Sequence, residues 1–170
     1  KSRIRAGLKA LRGRLASLAG AGLIVAECLT VAGLREHAHQ TALRRQGRAL
    51  ALVTRSEVVP RRLGPTPGTN PAAHGNYRGR SGVDLAVLTV SSFAPAPRGW
   101  EYRAWASHGG RWTFLGRVQL DGEGRSLIIA EGPALATPPD QVQVTLEPVD
   151  QPVDAAAAPT GPPVVRWPIP

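Results

Sequence analysis

The sequence predicts a mainly β protein, an antiparallel β-sandwich in an extracytoplasmic domain, preceded by one long transmembrane and stalk α-helix. Three observations predict it. All 16 prolines fall from Pro60 onward, so the front of the chain is free to be helical and the back is rich in turns. The stretch Leu15 to Leu34 is an unbroken apolar run of 20 residues in which Glu27 is the one charge. Beyond about residue 50, short alternating segments recur between Gly- and Pro-rich turns.

The organisation that follows has four parts: a basic cytoplasmic arm over 1–14, a transmembrane helix over 15–34, a helical stalk over 35–49, and the β domain over 50–170. At about 1.5 Å of rise per residue the apolar run spans about 30 Å, the thickness of a hydrocarbon core. Its C-terminal flank is Arg-Glu-His-Ala-His, not the small-residue cleavage site of a signal peptide. Six basic residues and no acid precede the run, whereas four basic residues and Glu36 follow it. The excess places the N-terminus in the cytoplasm and the β domain outside.

Small residues recur at four-residue spacing within the span, Ala16 with Gly20 and Gly22 with Ala26, which lets two helix backbones approach closely. Glu27 lies well inside the hydrocarbon, where an ionised carboxylate is costly, so it is expected to be neutral or paired with a polar group on another helix. These five residues are the helix-packing candidates, and the expected partners are other transmembrane subunits. The stalk has helical composition with a thin apolar stripe, and its His37 and His39 point to different sides of a helix.

A net charge of +9 first suggests nucleic acid. Ten of the 21 basic residues flank the apolar run, however, and the rest are scattered singly through strands. Anionic lipid at the basic flanks satisfies that charge, and nucleic acid is not an expected partner. Cys28 is the sole cysteine, which leaves no intramolecular disulfide.

In the β domain Val83–Phe93 is apolar on both alternating sides and predicts a central strand. A short strand is expected within Ala49–Val59. Trp100–Ser107 and Arg111–Leu120 form a hairpin about His108-Gly109-Gly110. Ser126–Ala130, Gln141–Glu147 and Val164–Trp167 complete about seven strands, with the aromatic residues taken as core. Asp84, Glu101 and Glu147 occupy strand positions without a neighbouring His or Ser partner in sequence. Asp121-Gly-Glu-Gly is a turn that lacks the ligand spacing of a calcium loop. No catalytic or cofactor motif is read, and a non-enzymatic protein is expected.

Tyr102–Trp105, Gly116–Val118, Asp121–Gly124, Val144–Pro148 and Pro159–Val165 occur in the order seen in one family. Over about residues 50–167 the chain resembles the extracytoplasmic C-terminal domain of anti-sigma-K factor (RskA-type) proteins. Val-Thr-Leu-Glu-Pro and Pro-Thr-Gly-Pro are the more specific of these motifs. The resemblance implies a bacterial cytoplasmic-membrane protein that sequesters a sigma factor until regulated proteolysis releases it. The family's sigma-binding part is a helical cytoplasmic domain, often with a His-x₃-Cys-x₂-Cys zinc motif, and the arm over 1–14 has none. A sigma factor is therefore an expected partner only if the N-terminus is truncated. On the chain as given, the expectation is an accessory or scaffold subunit of a larger membrane complex, working through its transmembrane helix.

Overall fold

The computed structural model describes residues 38–54, 58–153 and 158–169. The predicted span over 15–34, with Ala16, Gly20, Gly22, Ala26 and Glu27, lies outside the described residues. Among the described residues, no helix is long and apolar enough to cross a membrane.

Helix α1 covers residues 38–54. Among the described residues the short strand expected within Ala49–Val59 is not formed, because α1 continues through Thr54. Ala-Leu-Ala-Leu-Val-Thr alternates small and large residues as a strand can, but Ala49 and Leu52 sit three apart and share one buried helical face. Eight strands follow: β1 Arg61–Pro65, β2 His74–Gly79, β3 Leu85–Ser91, β4 Trp100–His108, β5 Arg111–Val118, β6 Ser126–Glu131, β7 Gln141–Pro148 and β8 Pro163–Trp167. A short 3-10 helix, Pro133–Ala136, links β6 to β7.

All pairings are antiparallel, in one sheet of order β5-β4-β7-β8-β1-β2-β3-β6. Strand β1 joins two halves of this sheet. Its Arg61, Arg62 and Leu63 pair with β2, whereas Gly64 and Pro65 pair with β8. The sheet curls until its two edges face one another: a Cβ added at Gly116 of β5 would lie 3.2 Å from Cγ2 of Ile128 on β6. The expected mainly β, antiparallel domain is thus present, as a nearly closed barrel-like sheet.

Inward-facing residues fill the interior: Leu63, Tyr77, Ala86, Leu88, Val90, Ala104, Ala106, Val142, Val144 and Val165 form one buried cluster. Both sides of β3 are apolar because both are covered. Its Ala86, Leu88 and Val90 face the interior, while Leu85 and Val87 pack outside against Ala49, Leu52 and Val58. Arg48 of α1 reinforces that contact, donating to the carboxylates of Asp84 and Glu131. Residues Arg45–Pro170 form one compact unit, so the second half of α1 belongs to the β domain.

The aromatic residues divide. Trp105 and Phe93 are buried, Trp112, Phe114 and Trp167 are half-buried, and Trp100 stays 42% exposed, so not all are core.

Candidate functional site

Two neighbouring features on the outer side of β4, β5 and β7 carry the domain's chemistry. The first is a buried ion network. Alternation along β4 sends Tyr102, Ala104 and Ala106 into the interior and leaves Arg103 and Trp105 on the opposite side. On β7 the same alternation places Thr145 and Glu147 beside them, since Arg103 pairs in register with Thr145 and Trp105 with Gln143. Arg103 and Glu147 are each only 1% exposed.

Arg103 is fully engaged. Its Nε donates to Glu101 at 2.7 Å and its Nη1 to Glu147 at 3.4 Å. Its Nη2 donates to the backbone carbonyls of Pro148 at 3.0 Å and Gln151 at 2.7 Å. The other carboxylate oxygen of Glu147 accepts from Trp105 Nε1 at 3.1 Å and from the Thr145 hydroxyl at 2.5 Å. Arg117 of β5 adds a second donor to Glu101 at 3.1 Å. A charge removed from water is tolerable only when its lone pairs and protons are met in this way.

The network fixes the chain that follows β7. Gln151 and Thr160 exchange side-chain hydrogen bonds at 2.9 and 3.0 Å, closing the neck of the segment between them. At Gly161 the chain passes so close to β7 that an added Cβ would sit 2.0 Å from the carbonyl oxygen of Leu146, and only glycine fits. Leu146 N–H donates to Pro162 O nearby. Tyr102–Trp105, Val144–Pro148 and Pro159–Val165 therefore meet at one place in this chain.

The second feature is a cleft of about 660 Å³ lined by His108, Arg111, Trp112, Thr113, Phe114, Ala134, Thr137 and Val153. It opens between the first half of β5 and the Pro133–Ala136 turn. The geometry of β5 makes its aromatic wall. The β4–β5 register shifts between Ala104 and Trp105, so Leu115 is an extra residue on β5 and is buried. Phe114 thereby pairs with Trp105 and Trp112 with Ser107. Phe114 meets Trp105 edge to face, with ring centroids 5.2 Å apart, which joins the cleft wall to the ion network. Gly109 and Gly110, both with positive φ, make the tight turn that brings His108 and Arg111 opposite each other. Both ring nitrogens of His108 are buried without a hydrogen-bond partner among the described residues.

The remaining sequence candidates fall elsewhere. Asp84 pairs with Arg48. Asp121 is occupied by its own turn: Oδ1 accepts from the backbone N–H groups of Glu123 and Arg125, both at 2.9 Å. The Arg125 backbone hydrogen bond is the chief cause that holds the Asp121 carboxyl below the usual carboxylate range. Among the described residues, no group of three or more His, Cys, Asp or Glu is placed to hold a metal ion.

Glu101 and Glu147 are visible in sequence as strand carboxylates, but nothing local marks Arg103 as their partner. Nor does any motif mark the cleft residues. The His108-Gly-Gly turn is their one local signal. No family model, curated protein or solved structure matches the chain.

Proposed function

We propose that this chain is a non-enzymatic, single-pass membrane protein whose outer β domain serves as a protein-interaction module. It acts as an accessory or scaffold subunit of a larger membrane complex, held there by its transmembrane helix. The observation that carries the reading is the docking of α1 on the sheet. Ala49 and Leu52 bury against Leu85 and Val87, and Arg48 bridges Asp84 and Glu131. Residues Arg45 to Thr54 thus belong to the β domain as a packed element.

The span over 15–34 supplies the partner contact in this reading. Ala16, Gly20, Gly22 and Ala26 provide close backbone approach, and Glu27 provides a polar group that needs a partner within the hydrocarbon. Glu27→Leu is expected to release the chain from its complex when detergent-solubilised membranes are fractionated. The parent chain recovered as a free monomer would overturn the proposal.

A second reading is a membrane anti-sigma factor, or a fragment of one. One specific observation favours it: three of the segments that carry the family resemblance converge through Trp105, Glu147 and Gly161. An upstream helical segment with His and Cys ligands in the same reading frame would decide for it.

A further inference from the structure

We propose that the cleft beside β5 is a binding site for a small organic anion with a flat apolar body, an aromatic carboxylate being the type. Its volume of about 660 Å³ falls in the range of about 300–1,000 Å³ usual for ligand sites. Trp112 and Phe114 offer aromatic surface to a flat ring, and Phe114 is held in place by the edge-to-face contact with Trp105.

Arg111 is the one fixed charge among the described residues that line the cleft. Arg111 and His108 line the cleft with the hydroxyls of Thr113 and Thr137, and no carboxylate among the described residues lines it. Arg103 and Arg117 of the neighbouring network are paired to Glu101, whereas Arg111 has no ion-pair partner among the described residues. Its planar, forked guanidinium suits a carboxylate bound through both oxygens.

His108 adds its half-buried imidazole to the lining, with both ring nitrogens shielded from solvent. Val153, two residues beyond the Gln151 carbonyl that Arg103 holds, lines the cleft as well. The site thus combines a cation and a stacking surface around one space. This inference does not depend on the membrane role.

Naphthoate is the probe, with naphthol as the uncharged analogue of the same ring system. Both are titrated calorimetrically into the full chain, with the same buffer lacking protein as the blank. Saturable naphthoate binding is expected, with naphthol about tenfold weaker because it lacks the charge-assisted pair. Arg111→Gln should weaken naphthoate about tenfold and leave naphthol unchanged. Trp112→Leu should weaken both, and Arg98→Gln, a turn arginine away from the cleft, should weaken neither. The unfolding midpoint of each variant checks that the fold is kept. Naphthoate heat no greater than the blank, naphthol binding as tightly as naphthoate, or equal losses from Arg111→Gln and Arg98→Gln would each overturn the site.

Discussion

Arg103 holds two carboxylates and two backbone carbonyls while almost wholly removed from water. Such an arrangement is stable only as a set, because taking away one partner leaves the others buried and uncompensated. Arg103→Met removes the donor to Glu101, Glu147, Pro148 and Gln151 at once. The variant is expected to lose about 3–5 kcal/mol of unfolding free energy in urea titrations, the usual cost of breaking a buried pair. Adding Glu147→Leu should restore part of that loss, since the stranded carboxylate is then gone as well. A single variant within about 1 kcal/mol of the parent would show that the network is solvated and contributes no more than a surface pair. The network is half legible in the sequence. Glu101 and Glu147 are conspicuous as carboxylates in strand segments, but Trp105 and Glu147 are 42 residues apart and meet only through the β4–β7 register.

At the level of elements, periodicity identifies the strands wherever alternation is long enough to register. Strands β3 to β8 lie where short apolar alternation and turn residues predict them. Strand β1 escapes that pattern because Arg-Arg-Leu-Gly-Pro carries a glycine and a proline and has too little alternation. The doubly apolar β3 reads as central in a sheet, and the structure supplies the physical reason, a helix on its outer side. The end of α1 reads as a strand instead, since Val53 and Thr54 favour strands when judged one residue at a time and Leu50 and Leu52 alternate with Ala51 and Val53.

Helix docking there rests on Ala49 and Leu52, because the ion pairs of Arg45 and Arg48 are substantially exposed and each contributes at most about 1 kcal/mol. Leu52→Ala is expected to cost roughly 2 kcal/mol, the low end for a buried leucine, because the cluster it leaves is small. The loss should be local: amide exchange should quicken across residues 45–54 and leave β4 and β7 protected. Equal loss of protection in β4 and β7 would mean that the helix and the barrel unfold as one.

On the scale of the whole molecule, stability is tied to pH through Tyr77 in the barrel interior. Its hydroxyl is buried without a hydrogen-bond partner among the described residues. Burial pushes its pKa from 10.0 up to about 12, against a smaller opposing pull from Arg61. Tyr102, also buried, is shifted in the same direction by the same cause. A raised folded-state pKa means that the neutral phenol is favoured by the native state. Its stabilisation is complete below the unfolded value near 10.0 and is lost as pH rises through about 12. For Tyr77 a rise of that size corresponds to about 3 kcal/mol at the alkaline limit. Urea midpoints should therefore hold steady up to about pH 10 and fall between there and pH 12. Tyr77→Phe separates this cause from general alkaline repulsion. It removes the ionisable group together with an unpaired buried hydroxyl, so it should flatten the alkaline decline and raise stability at neutral pH by about 1 kcal/mol. A Tyr77→Phe variant that declines as steeply as the parent would place the alkaline sensitivity outside the barrel interior.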